Sequence, residues 1–469
     1  MTNRRPTTLY VVLALYLGLL ASSARAAGVV GNGSPASCTD AALATALVGG
    51  GLVTFNCGPG NLVIPVNTNV ISTGDSAVVD GANKITLDGE NTRQHFYVLS
   101  GASLHVRKLV LANGRFSTGG AILNQGSLTV EDASFTNNVA EAFGNGGAIY
   151  NDSNSQLTVS GSTFRFNTAQ AGGGAIHNLG NVDITTSLFE NNTAGLDGGA
   201  ILNNGGDAQI DRSTLSVNFA TNGGGIEMNG GSFLVRRSLL LGNEASGQGG
   251  GIRNFSGTLT VENATIGGNQ ANTGGGIYTE DTVSLLNSTL HINKAFAGGA
   301  LWRLTASPVT AKNTIFSLSL EPHSITPQLN CDGFPPLLSN GNNLSSDNSC
   351  NLNLASDRPA TNALLGPIAN NGGPTQTNLP LVGSPAIDTG SNTGCPATDQ
   401  RGGVRPRNGG SGFAICDIGA VEVPEPATGV GLAAGIIALA GLRRGLRRVQ
   451  YAGWEAKTRT PSFPKDMTL

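Results

Sequence analysis

The sequence predicts an all-β fold: a right-handed parallel β-helix with a short helical cap at its N-terminal end and a disulfide-bonded cap region at its C-terminal end. Three observations predict it. A glycine block, Gly-Gly-Ala-Ile in its fullest form, returns every 24 to 27 residues and sets Ile122, Ile149, Ile176, Ile201, Ile226, Ile252, Ile277 and Leu301 in one series. An asparagine follows each of the first seven blocks, at Asn138, Asn167, Asn192, Asn218, Asn243, Asn269 and Asn293, with alanine two residues later each time, from Ala140 to Ala295. Between them stand apolar-x-apolar pairs such as Leu128/Val130, Leu157/Val159 and Val182/Ile184, continuing to Val283/Leu285. Their period of two marks strands with one buried face. A repeat of this length buries its apolar side only against its neighbours, so each repeat makes one coil of a solenoid.

The elements follow in chain order. Residues 1–27 read as a signal peptide: Arg4 and Arg5, an apolar run from Leu9 to Ala21, then Ala24-Arg25-Ala26 as the small-x-small cleavage site. Export places the remainder in an oxidising compartment. The six cysteines all lie there, and an even count reads as three disulfides. Sequence-near pairing is expected, Cys38 with Cys57, Cys331 with Cys350 and Cys395 with Cys416. Zinc is disfavoured because no two cysteines stand at C-x-x-C spacing.

Residues 28–60 are expected to cap the first coil. Ser37 to Leu47 suits a short amphipathic helix with a Ser-x-x-Asp start, followed by strands in LVTFNCGPG and LVIPV. Such a cap covers what would otherwise be an unpaired sheet edge. Residues 61–325 form the solenoid, with irregular coils from Leu62 to Phe116 and regular ones beyond. The Gly-Gly pairs supply turns that need positive φ. The asparagine column makes an amide ladder, and Ser162, Ser187, Ser213, Ser238 and Ser288 a hydroxyl column. Ten coils at about 4.8 Å each give a rod of roughly 50 Å.

The glycine block followed by Phe-x-x-Asn, at Phe135–Asn138, Phe164–Asn167 and Phe189–Asn192, resembles the repeat of chlamydial polymorphic outer-membrane proteins. It is also similar to bacterial pectate-lyase-like solenoids generally. The resemblance implies a surface-exposed rod. The polymorphic proteins end in an autotransporter barrel, which is not read in this sequence, so their export route is not carried over.

From residue 326 to 422 the period is lost. The run NGNNLSSDNSCNL, LLGPIANNGGPTQT, GSPAIDTG, DQRGGVRP and CDIGAVE is similar to the choice-of-anchor Q region of surface proteins, and capping the last coil is the role expected of it. Residues 423–448 resemble a PEP-CTERM sorting signal: Pro424-Glu425-Pro426, an apolar stretch from Ala427 to Leu442, then Arg443, Arg444, Arg447 and Arg448. That resemblance implies an exosortase-like processing enzyme as partner, in a Gram-negative bacterium. The 16-residue apolar run is short of the ~20 residues of a stable span; a plain C-terminal membrane anchor is the alternative. Residues 449–469 are expected to be a disordered tail.

Only 12% of residues are charged and the net charge is -3, which argues against nucleic acid as a partner. The position after each block's isoleucine should face outward, and it reads Leu123, Tyr150, His177, Leu202, Glu227, Arg253, Tyr278 and Trp302. Aromatic faces stack on sugar rings, and Glu or Arg bonds hydroxyls and uronates, so Tyr150, His177, Glu227, Arg253, Tyr278 and Trp302 form a candidate glycan-binding stripe. Its alternative is a solvated face with incidental aromatics.

A second outward column, Asp211, Arg236 and Glu262, reads as a structural charge ladder. Its catalytic reading would pair Asp211 with Glu262, but two coils separate them by roughly 10 Å. Arg165 and Glu190 form a similar structural pair. The five histidines, at 95, 105, 177, 291 and 323, share no cluster. No cofactor or metal site is read. In the C-terminal loops, Asp388, Asp399, Arg401, Asp417 and Glu422 either pin the loops to one another or hold calcium.

Taken together, these residues describe an exported protein of the cell envelope, outer surface or extracellular matrix. A non-enzymatic adhesin or polysaccharide-binding component is the leading reading. A polysaccharide lyase or glycoside hydrolase and a passive spacer are the alternatives, since this fold carries all three.

Overall fold

The computed structural model describes residues 28–67, 71–73, 75–409 and 412–423. The expected signal peptide, sorting segment and tail, with Pro424, Glu425, Pro426, Arg443 and Arg444, lie outside the described residues.

Each coil is built from the same sequence logic. In the coil that starts at Gly146, the glycine takes φ +69°, and a Cβ on Gly147 would lie 2.1 Å from the carbonyl oxygen of Gly174 in the next coil. The pair is therefore glycine for two reasons: one residue needs the left-handed backbone and the other needs close approach. The chain then runs through Ile149–Asn151 and Gln156–Ser160, turns a left-handed corner at Gly161, and continues through Thr163–Arg165 and Thr168–Ala169. The named strands of neighbouring coils pair in parallel, and apart from an irregularity between Met228 and Ser232 they keep register, so Ile122, Ile149, Ile176, Ile201, Ile226, Ile252, Ile277 and Leu301 stack as one buried column. The fold is a parallel β-solenoid.

One of its sheets has twelve strands, from Leu62–Pro65 to Leu344–Ser345, two coils more than expected. The irregular first coils belong to the stack. So does a last coil beyond residue 325, where Cys331–Gly333 pairs with Leu301–Arg303.

The interior is filled by like residues stacked on like. Phe135, Phe164 and Phe189 lie with ring centroids 4.7 and 4.6 Å apart and planes within 6°. The expected asparagine ladder is present. Asn167 donates its side-chain amide to Asn192 at 2.9 Å and to the carbonyl of Phe135 at 3.1 Å, and the pattern runs from Asn138 to Asn293. A second ladder, Asn124–Asn151–Asn178–Asn203, was not anticipated, although its asparagines stand two residues after each block's isoleucine.

The N-terminal cap differs in one detail. The helix spans Asp40–Leu47 and its N-cap is Thr39, whose hydroxyl accepts from the Ala42 amide at 3.1 Å, rather than Ser37, which closes a 3-10 turn over Pro35–Ser37. Asp40 sits inside the first turn and accepts from the Asn67 amide at 2.9 Å, tying the helix to the third strand's exit. All three sequence-near disulfides are formed, with Cα separations of 5.7, 4.8 and 6.4 Å.

The first part of the C-terminal region continues the stack and closes its end, with Cys331, Leu337, Cys350 and Leu352 joining the main core, and the remainder lies along the flank of the solenoid. Gln400, buried, accepts from the Thr265 hydroxyl at 2.6 Å and donates to the Ser238 carbonyl at 3.2 Å. Asn263 donates to the Thr398 carbonyl, Asn287 to that of Asp417, and Asn313 to that of Ser391. The physical reason lies in the solenoid's own outward positions. Ser134, Thr163, Leu188 and Thr214 are partly exposed, whereas Leu239, Thr265, Thr289 and Ile315 in the same column are buried. The later coils present apolar and hydroxyl-bearing residues that need cover, and Ile315, Leu344, Ala363, Ala386 and Ile418 close into a small core there.

Candidate functional site

The register brings the whole predicted stripe into one column: Tyr150 opposite His177, Leu202 opposite Glu227, Glu227 opposite Arg253, Arg253 opposite Tyr278, and Tyr278 opposite Trp302. Tyr97 extends it at the N-terminal end and Asp332 at the other. Tyr97 escaped the sequence reading because no glycine block precedes its strand.

The column is less open than a simple outward face. His177, Glu227 and Tyr278 are buried, while Tyr150, Arg253 and Trp302 stay partly exposed. Bend residues just before the glycine blocks form their own ladder beside it, Gly172 to Asp197 to Asn222 and Gln248 to Thr273 to Ala297. They press on it closely: a Cβ on Gly172 would lie 2.3 Å from Leu202 Cδ2.

Within the column the side chains contact one another along the rod. Tyr150 and His177 have ring centroids 4.9 Å apart, and Tyr278 and Trp302 stack at 4.7 Å with planes 9° apart. Arg253 donates to Glu227 Oε1 at 2.7 Å and approaches Glu280 at 3.4 Å, and its guanidinium lies 4.7 Å over the Phe255 ring. Tyr278 donates its hydroxyl to the same Glu280 at 3.2 Å. Burial pushes the Glu227 carboxyl well above its ordinary range, against the opposing pull of Arg253. Burial lowers His177 to about 4, so its imidazole is neutral at pH 7. The result is a trough floored by rings and by one buried ion pair, with Trp302 and Arg253 reaching solvent.

The second column is also in register, Asp211 opposite Arg236 and Arg236 opposite Glu262. Its centre is Asp211, which is buried and clasped by Arg237: Nε donates to Oδ1 at 2.8 Å and Nη2 to Oδ2 at 2.5 Å. Arg212 and Arg236 come within 3.2 and 3.6 Å of the same carboxylate. Arg165 and Glu190 pair at 2.8 Å as expected.

In the C-terminal region the acidic residues are tied to arginines and backbone amides. Asp399 pairs with Arg401 at 2.8 Å and Glu422 with buried Arg405 at 3.0 Å. Asp417 accepts from the amides of Asp388 and Val423, and burial followed by the neighbouring Glu422 pushes it up to about 7. The geometry is that of loops pinned together. Among the described residues no group of three or more His, Cys, Asp or Glu is placed to hold a metal ion. No helix among them is long and apolar enough to cross a membrane.

Over residues 132–152 and 186–204 the chain is similar to the Chlamydia polymorphic membrane protein repeat. Both stretches carry the Phe-x-x-Asn motif, and both end in the glycine block of the following coil. No curated protein matches the chain.

Proposed function

We propose that this is an exported protein of the cell surface or extracellular matrix, a non-enzymatic adhesin or structural component that binds polysaccharide along its rod. The observation that carries the reading is the Tyr278–Trp302 stack, an aromatic pair with Arg253 and Glu280 at its side and the Trp302 ring partly exposed. Such a pair offers a flat apolar face to a sugar ring and charged hydrogen-bonding groups to its hydroxyls. The similarity of two coils to repeats of a membrane protein family supports a surface location.

On this reading residues 1–27 direct export, and residues 326–422 act as a choice-of-anchor Q-like region. Pro424, Glu425, Pro426 and the following basic cluster address the chain to an exosortase-like enzyme of a Gram-negative envelope, or anchor it in the membrane. The hydrolase alternative draws less from the geometry. Asp211 is held by a bidentate arginine and Glu227 by Arg253, so neither is placed as a free partner for acid–base chemistry.

The test is retention of the full chain in affinity gels containing neutral and acidic polysaccharides. Replacing Tyr278 and Trp302 by alanine is expected to abolish retention on at least one glycan that slows the wild type. Unchanged retention of a folded double variant would overturn the reading.

A further inference from the structure

The last coils of the aromatic column set a carboxylate beside a free ring face. Strand Leu301–Arg303 lies between Ile277–Thr279 and Cys331–Gly333, so Trp302 stands opposite Tyr278 on one side and opposite Asp332 on the other. The Trp302 ring stacks on Tyr278 with centroids 4.7 Å apart and planes 9° apart. The stacking direction therefore runs along the rod. The second face of the indole is turned toward the coil that carries Asp332, one strand spacing of about 4.8 Å further on. Among the described residues no other ring stacks on that face, and Trp302 stays partly exposed.

Charge at this end is not balanced within the protein. Asp332 is exposed, its Oδ1 accepts from the Gly333 amide at 2.6 Å, and no cation pairs with it among the described residues. The arginines of this flank are committed elsewhere. Arg303 is buried and donates to the carbonyls of Thr305, Ser307, Pro335 and Pro336. Arg253, further back in the column, pairs with Glu227 and Glu280. Glu227 thus has its arginine, whereas Asp332 in the same column has none.

The neighbours of this position are apolar and open. Leu304 and Phe334 follow the two strands, and Leu329 stands in the bend before Asp332, its carbonyl accepting from the Gly299 amide at 2.8 Å. Leu304 and Leu329 are each 50% exposed and Phe334 is 79% exposed. An indole face attracts a cation through its quadrupole, and a carboxylate one strand spacing away attracts the same cation. Apolar surroundings reduce the screening of both. An anionic ligand would be repelled by Asp332, and a neutral one would leave its charge uncompensated.

We propose that the Trp302–Asp332 end of the column binds a cationic amino sugar, with the sugar seated on the free indole face and its ammonium group held by Asp332. The proposal rests on the reading of the column as a glycan binder and adds the charge of the ligand. An ammonium–carboxylate contact at an exposed site weakens with salt.

The experiment titrates the full chain calorimetrically with a glucosamine oligomer, its N-acetylated counterpart and a lysine oligomer, in weakly acidic buffer that keeps the sugar amine protonated. The proteins are wild type, Asp332→Asn and Trp302→Ala. Asparagine keeps an oxygen for the Gly333 amide, and folding of each variant is checked by its melting transition. The expected result is that wild type binds the glucosamine oligomer about tenfold or more tightly than the acetylated one, and that Asp332→Asn loses this preference. Equal affinity for the two sugars, lost together in Trp302→Ala, would overturn the amine assignment while upholding the aromatic column. Wild-type protein that binds no glucosamine oligomer would overturn the proposal and leave the column to be judged on neutral glycans. A lysine oligomer bound as tightly, and lost in step in Asp332→Asn, would overturn the sugar in favour of a basic peptide. Unchanged glucosamine binding by a folded Asp332→Asn variant would overturn the site.

Discussion

Arg253 reaches across one coil spacing to donate to Glu227 at 2.7 Å, and this pair joins the architecture of the rod to its candidate surface. Glu227 is fully buried, and Arg253 is the cation that opposes the pull of burial towards its neutral form. Replacing Arg253 by methionine strands that carboxylate and is expected to cost about 3 kcal/mol or more. The double variant with Glu227→Gln should recover a large part of the loss. Chemical denaturation of the three proteins measures both effects.

The asparagine ladder is expected to be most sensitive in its middle. Asn192 accepts from the Asn167 amide and side chain, and donates to Asn218 and to the Phe164 carbonyl. Alanine there leaves several buried groups unsatisfied, at about 1–3 kcal/mol each. Asn293, the last member, donates to the Ile266 carbonyl and has no further asparagine to bond, so Asn293→Ala should cost less. Urea midpoints of the two variants make the comparison.

Three buried histidines give stability a pH dependence of known sign. Burial holds His177 near 4 in the folded chain against an unfolded value of about 6.5. A depressed histidine contributes stability that is present above pH 6.5 and is lost as pH falls towards 4. His177→Leu, the residue that the next coil carries in the same column, should remove up to about 3 kcal/mol of that acid sensitivity. His95, also near 4, and His291, lowered by burial as well, remain and keep part of that sensitivity. Melting temperatures of the two proteins between pH 4 and 8 isolate the difference.

Arg405 is the pin of the flanking region. Fully buried, it bonds Asn263 on the solenoid at 2.8 Å, the Gly419 carbonyl at 2.7 Å and Glu422 at 3.0 Å. Arg405→Met is expected to loosen this region without unfolding the coils. Limited proteolysis should then cut beyond residue 346 at a rate at least ten times that of the wild type, leaving a resistant solenoid fragment.

The coils could be read from the sequence because stacking forces the same residue type into the same place, and a repeated place is a repeated letter. Ile149, Phe164 and Asn167 each announce themselves through their equivalents one period away. The flanking region could not be placed that way. Its contacts join residues such as Asn263 and Thr398, 135 positions apart, after the period has ended. The burial of Glu227 and Tyr278 was hidden for a related reason: alternation says which face a side chain takes, while the bend ladder beside that face is known only once the coil is closed. The clasp of Asp211 by Arg237 was hidden by the left-handed corner, which turns two consecutive arginines toward one carboxylate where strand alternation would send them apart.

The most direct test of the central claim follows the fate of the glycan as well as its capture. The full chain is incubated with uronate and neutral polysaccharides, with and without calcium, while retention, new reducing ends and unsaturated products are measured on the same samples. The account predicts retention with no cleavage of any substrate. Turnover by the folded protein would contradict it, and would make Glu227, Asp211 and Glu262 catalytic candidates.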